Sequence, residues 1–279
     1  MNATELNSRG HHLKDEGRYA EAEQAYRRAA EAAPGWSAPW FNLGLICKIL
    51  RRWEESAQYN ERALRCEPVA EEAFWNLGIA ATALGDWARA REAWRGYGIE
   101  IPDGEGPLNL DWGAVPIRLN PDGDGEVVWC DRLDPARALI RNVPRKESGF
   151  REGDVVLHDG EPRGQRKLNG EFVDVFDALQ LLERSPRETF EARVRAGTQA
   201  DIDALEHIGE RSGVVVEDWS RTIRNLCKKC SEGVPHEAHA YEAPPWDADH
   251  RIGLSAKSQD QASRVLLEWA SSAPSREVL

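Results

Sequence analysis

Apolar residues in the first 102 positions recur in helical stripes, and the stripes themselves recur. Aligned on Pro34, Pro68 and Pro102, this stretch falls into three units of 34 residues. The second unit opens on Trp40-Phe41-Asn42-Leu43-Gly44 and the third on Phe74-Trp75-Asn76-Leu77-Gly78. A fixed period of this size predicts stacked helical hairpins, because one hairpin cannot bury its apolar face alone. About three are needed for a stable stack, so the chain beyond Pro102 is expected to cover the end of the third unit.

Beyond that proline the pattern changes. The Pro, Gly and Asp residues of 101–125 end the helical array. Short runs rich in Val, Ile and aromatics follow at Ala114–Leu119, Glu126–Cys130, Ala138–Asn142, Asp154–His158 and Phe172–Phe176. Turn signals such as Pro121-Asp122-Gly123 and Asp159-Gly160 separate them, which predicts a small antiparallel β barrel or sandwich over 103–185. After Ser185-Pro186 the alternation of Thr189–Ala196 predicts a strand. Gln199–Arg211 carries a helical stripe of Ile202, Leu205 and Ile208, and Gly213–Glu217 reads as a second strand. A loop-rich insert precedes a strand at Arg251–Ala256 and a helix at Gln259–Ser271, with Ala262, Val265, Leu266 and Trp269 on one face. This order predicts a ferredoxin-like α+β module over 186–279, its last strand supplied by Glu277–Leu279. The expected fold class is α+β multidomain: an α-helical solenoid over 1–102, a mostly-β module, and an α+β module with a zinc-binding loop.

The first third resembles the tetratricopeptide repeat (TPR). Leu43-Gly44 and Leu77-Gly78 match its Leu-Gly pair, which the first unit keeps only as Gly10. Tyr19, Trp53 and Trp87 stand at the turn aromatic, and Ala22, Ser56 and Ala90 at the small residue that follows. Tyr26 and Trp94 fill the next aromatic position, where Asn60 departs from the pattern. Tyr97 departs where Ala29 and Ala63 stand, and Arg51 departs where Gly17 and Gly85 stand. The resemblance implies a concave peptide- or protein-binding face on the first helix of each hairpin. In this register that face carries Asn7, His11 and Lys14, then Phe41, Leu45 and Lys48, then Trp75, Ile79 and Thr82. Trp40 and Phe74 take the core-facing positions, so the adjacent Phe41 and Trp75 must point elsewhere. The face therefore reads as an exposed apolar strip rimmed by Lys14 and Lys48, suited to an apolar peptide with an acidic group. The charged clamp of chaperone-tail-binding members is not matched, because Asn7 and His11 stand where a Lys and an Asn would be expected. A scaffold reading, in which the chain's own C-terminal portion fills the face, stays open.

Charge adds a direction to the partner. The chain carries a net charge of −12, of which −2 falls in 1–102 and −10 in 103–279. Such acidity disfavours non-specific nucleic-acid binding and anionic membranes, and would steer a basic partner inward. Solubility alone is the plainer reading of the same charge. The N-terminal 18 residues are polar and no run reaches the ~18 apolar residues of a membrane span, so a cytoplasmic location is expected. Five cysteines without an export signal argue against a disulfide framework.

The sharpest chemical signal lies in the insert: Cys227, Cys230, His236 and His239, spaced C-x2-C-x5-H-x2-H. Two thiolates and two imidazoles could close a tetrahedral structural site for one zinc ion and order a loop with little apolar material of its own. A redox C-x-x-C beside Lys228 and Lys229, a catalytic zinc and unligated cysteines are the competing readings. Asn120, Asp122, Asp124, Gly125 and Asp131 echo a calcium loop, but Pro121 and the flanking strands favour a plain turn. His11, His12 and His158 read as surface histidines. The leading expectation is a non-enzymatic protein–protein interaction adaptor or scaffold built on the TPR groove, with structural zinc in its C-terminal portion. The alternatives are a metal-dependent or other enzyme of unrecognised class in that portion, and an RNA-binding zinc knuckle, which the local acidity opposes.

Overall fold

The computed structural model of the chain describes residues 1–168, 170–222 and 246–279. It divides into two compact units, Met1–Asn109 and Leu110–Leu279.

The first unit holds three helical hairpins: α1 (Ala3–Asp15) with α2 (Tyr19–Ala32), α3 (Ser37–Ile49) with α4 (Trp53–Cys66), and α5 (Glu71–Leu84) with α6 (Trp87–Gly96). A capping box starts the array: the Asn2 side chain accepts the Glu5 N–H and the Glu5 carboxylate accepts the Asn2 N–H, both at 2.9 Å. Gly17 and Gly85 make their turns at φ 73° and 69°, and Arg51 is held at φ 57° in the equivalent place. A side chain pays for that left-handed conformation where glycine does not. Within each hairpin a small residue faces a large one. A Cβ on Gly10 would lie 2.5 Å from the Tyr26 ring, and one on Gly78 would lie 2.5 Å from the Trp94 ring. In the middle hairpin Asn60 replaces the aromatic; it is fully buried, and its amide donates to the Ser56 carbonyl at 2.8 Å. Past α6, Ile101 and Leu108 are buried. Arg91 donates to the Gly106 carbonyl at 2.7 Å and Arg95 to that of Ile101 at 3.0 Å, fastening this segment to the last helix.

The second unit opens with β1 (Ala114–Leu119), β2 (Glu126–Arg132), β3 (Arg137–Ile140) and β4 (Val155–His158). A small hairpin of β5 (Gln165–Leu168) and β6 (Glu171–Asp174) follows, then β7 (Phe176–Glu183). Strands β1, β2, β3, β4 and β7 close into a barrel. Five strands in a meander alternate direction, so the closing pair has to run parallel. Ile117 and Arg118 accordingly sit beside Phe176 and Asp177 in parallel register, a departure from the expected all-antiparallel module. Arg118 forks onto both oxygens of Asp177 at 2.7 and 2.9 Å across that seam. Ile117, Leu119, Val128, Cys130, Ile140 and Val156 fill the interior. His158 is fully buried in this barrel and not on the surface, its Nδ1–H donating to the Asp159 carbonyl at 2.7 Å. Burial, reinforced by Arg132, pulls its pKa down to about 4.

The remaining elements are β8 (Glu188–Ala196), α7 (Gln199–Arg211), β9 (Val215–Asp218), α8 (Trp219–Thr222), β10 (Asp249–Ala256), α9 (Gln259–Ser271) and β11 (Arg276–Val278). The four strands form one sheet in the order β11-β8-β10-β9 with every pair antiparallel. Val194, Ile252 and Leu254 from the strands pack with Ile202, Leu205, Val265 and Trp269 from α7 and α9, which places both helices on one face. On the other face a Cβ on Gly253 would lie 2.3 Å from the Trp219 indole. That indole donates to the Val143 carbonyl at 2.9 Å, and the Glu217 carboxylate accepts the Val143 N–H at 2.7 Å. The β3–β4 connection thus seals against the sheet.

Candidate peptide-binding face

The nine positions assigned to the concave face recur at i, i+4 and i+7 on α1, α3 and α5, a spacing that keeps each trio on one side of its helix. Their exposure differs. His11 is exposed, and Lys14, Phe41, Leu45 and Trp75 are half-buried. Asn7, Lys48, Ile79 and Thr82 are buried, so each of the three helices closes part of the face and α5 keeps only Trp75 partly open. The expectation of an exposed apolar strip rimmed by lysines is corrected at Ile79 and Lys48, which are buried.

Asn7 is buried because it is hydrogen-bonded. Its carbonyl accepts from the Asn42 amide at 3.0 Å, and its own amide lies 3.3 Å from His11 Nε2. An amide nitrogen can only donate, so His11 Nε2 is the acceptor and Nδ1 carries the proton toward the Tyr26 hydroxyl at 3.3 Å. Partial desolvation and the nearby Lys14 lower the pKa of the otherwise exposed His11, which favours its neutral form. Asn42 was legible only as part of the repeated Asn-Leu-Gly signature, which gave it no role at the face.

Trp75 points away from the core position of Phe74, but the place it reaches belongs to its own hairpin. Its ring meets Trp94 edge-on at 5.2 Å and Tyr97 at 4.8 Å. Trp40 is likewise committed inward, stacked on Tyr59 at 6.2 Å with its indole N–H on the Pro34 carbonyl. Of the nine positions, the apolar side chains that keep partial exposure are Phe41, Leu45 and Trp75.

Cys227, Cys230, His236 and His239 lie outside the described residues. Among the described residues no group of three or more His, Cys, Asp or Glu side chains is placed to hold a metal. Cys47 is buried 3.1 Å from an Arg52 nitrogen, and burial outweighs that charge to push its thiol up to about 11. It is an inert core thiol at neutral pH. No helix among the described residues is long and apolar enough to cross a membrane.

No protein-family model matches the chain, and no curated protein does. Among solved structures, the chain is similar to the second TPR domain of Spaghetti (RPAP3) bound to the HSP90 peptide SRMEEVD: 23% identical over 35% of this chain and 90% of that one, TM-score 0.34. The first TPR domain of the same protein, also bound to that peptide, is 20% identical over 34% of this chain and 76% of its own, TM-score 0.34. The Sgt2 TPR domain from Aspergillus fumigatus is 24% identical over 34% of this chain and 63% of its own, TM-score 0.33. In its 34-residue register, its left-handed turns and its glycine-against-aromatic packing, the N-terminal helical part of the chain fits a tetratricopeptide-repeat segment.

Proposed function

We propose that the chain is a non-enzymatic protein-interaction adaptor whose repeat segment captures an extended peptide of a protein partner. The observation that carries this reading is the partly exposed apolar group of Phe41, Leu45 and Trp75 on consecutive first helices. It is rimmed by His11 and by Lys14, whose ammonium pairs with Asp15 at 3.1 Å. Aromatic and aliphatic anchors of this kind usually supply most of the energy of peptide capture. Two of the similar solved domains hold the acidic peptide SRMEEVD. Such a ligand calls for cations, whereas the Asn7–His11–Asn42 cluster here is neutral. The ligand favoured is an apolar segment with one acidic group near Lys14, from a protein whose overall basic charge suits the acidic C-terminal portion.

The test uses Phe41 and Leu45, two partly exposed apolar side chains of α3. Trp75 is excluded from it because it packs on Trp94. Phe41→Ala with Leu45→Ala should abolish partner capture and leave the melting temperature within a few degrees of the parent. A large fall in melting temperature with capture intact would show the strip to be internal packing.

We also propose that 186–279 is a ferredoxin-like module, which the strand order β11-β8-β10-β9 with two helices on one face supports. Structural zinc held by Cys227, Cys230, His236 and His239 belongs to the same reading, supported by the ligand types and their spacing. Elemental analysis of purified protein should find close to one zinc per chain, lowered by Cys230→Ser. Metal-free protein of unchanged stability would overturn it.

A further inference from the structure

The four-stranded sheet ends in two edges of unlike character. At one edge β11 carries charged residues on the strand itself: Arg276 pairs with Asp201 at 2.7 Å and Glu277 with Arg195 at 3.2 Å. Charges on the strand are the ordinary way to blunt an edge. At the other edge β9 begins with Val215 and Val216, preceded by Val214, and its two charged residues, Glu217 and Asp218, are engaged with Val143 and His250. Among the described residues β9 pairs only with β10, so alternate N–H and C=O groups of its first residues face outward.

Helix α7 lies directly over this edge. Gly209 permits the approach, since a Cβ there would come within 2.5 Å of the Val216 side chain and 2.8 Å of the Val214 carbonyl. The helix turns its core stripe of Ile202, Leu205 and Ile208 inward. Its outward stripe, Asp203, Glu206, His207 and Glu210, therefore runs alongside the strand. These four residues and Val214, Val215 and Val216 line one open groove of about 540 Å³, with no Lys or Arg among them. Desolvation, with repulsion from Asp203 and Asp218, raises the Glu206 pKa. Among the described residues that line the groove, His207 alone could carry a compensating positive charge.

We propose that this groove is a second docking site, at which a basic, extended segment of a protein partner adds a strand to β9 beneath the acidic stripe of α7. Main-chain hydrogen bonds to the strand would supply affinity, and alternate side chains of the added strand would meet the carboxylates. The segment recognised therefore carries lysine or arginine at every second position. This site is separate from the repeat face, on a different unit, and does not depend on it.

The probe is a labelled seven-residue peptide alternating lysine and valine, capped at both ends and titrated with the full chain by fluorescence anisotropy at physiological salt. Two controls keep its length: one methylated on all central backbone nitrogens, which keeps the charge but cannot pair as a strand, and one with glutamate for lysine. The parent peptide should bind at least tenfold more tightly than either control. Glu206→Lys with Glu210→Lys, both exposed positions, should weaken it at least tenfold, while Phe41→Ala with Leu45→Ala leaves it unchanged. Equal binding of the methylated peptide would reduce the effect to general attraction by the acidic chain and overturn the proposal. Absence of binding, loss of binding in the Phe41/Leu45 variant, or a stable dimer through β9 that the peptide does not displace would each overturn it as well.

Discussion

Replacing Trp94 by alanine is expected to destabilise the third hairpin by about 3–5 kcal/mol, the cost of emptying a large buried aromatic site. Trp94 is fully buried, and its ring occupies the space that a side chain at Gly78 would need, 2.5 Å from where that Cβ would stand. The pair makes a sharper test than either residue alone. In the parent, Gly78→Ala forces a methyl into the indole, an overpacking cost of about 1–3 kcal/mol. This exceeds the gain of about 1 kcal/mol that alanine has over glycine inside a helix. With Trp94→Ala in place the clash is gone, so Gly78→Ala should become stabilising by about 1 kcal/mol. Hydrogen exchange of α5 and α6 in the full chain reads both values. The same sign in both backgrounds would contradict the packing described. The indole N–H of Trp94 is buried and has no acceptor among the described residues, so Trp94→Phe should cost clearly less than Trp94→Ala.

Asp154→Ala is expected to cost the second unit about 3–5 kcal/mol, the range for removing one partner from a buried charged network. The carboxylate is fully buried and accepts three hydrogen bonds: the Ser185 N–H at 2.7 Å, the Arg151 N–H at 2.9 Å and Arg184 at 2.9 Å. Arg184 is 44% exposed and can turn to water, so its contribution is small. The two backbone donors cannot. Each loses its acceptor, at roughly 1–3 kcal/mol apiece. They lie in the turn before β4 and in the link from β7 to β8, so the barrel and the four-stranded sheet should loosen together. Asp154→Asn keeps one carbonyl acceptor and should lose less than half as much. Exchange rates for 150–157 and 183–188 that match the parent would show that the carboxylate holds neither segment.

These contacts mark where the sequence could be read and where it could not. The hairpin units, the helices Gln199–Arg211 and Gln259–Ser271 and the strand Ala114–Leu119 follow from local period alone, and the structure has them at those bounds. Strand β7 does not follow in this way. Phe176–Glu183 reads Phe-Asp-Ala-Leu-Gln-Leu-Leu-Glu, a composition of good helix formers without a β-branched residue. It is a strand because β4 and β1 pair with it on either side, a tertiary demand that overrides propensity. Strand β5, Gln165–Leu168, is equally silent, being polar at three of its four positions. The candidate face was legible as a register and not as a surface. Period placed Trp75 off the core position, but only the structure shows its ring against Trp94 and Tyr97, and only burial separates Phe41 and Leu45 from Ile79 and Thr82.

The central claim is that a partner segment lies on the repeat face over Phe41 and Leu45. It is tested most directly by placing a photo-crosslinking residue at Phe41, at Leu45 and, as a control, at the exposed Gln24 of α2, in the full chain expressed in its own cells. The crosslinked peptides are then mapped by mass spectrometry. The account predicts one recurrent segment, apolar with an acidic residue, joined at both Phe41 and Leu45 and absent at Gln24. Crosslinks at Phe41 and Leu45 no different from those at Gln24 would contradict it.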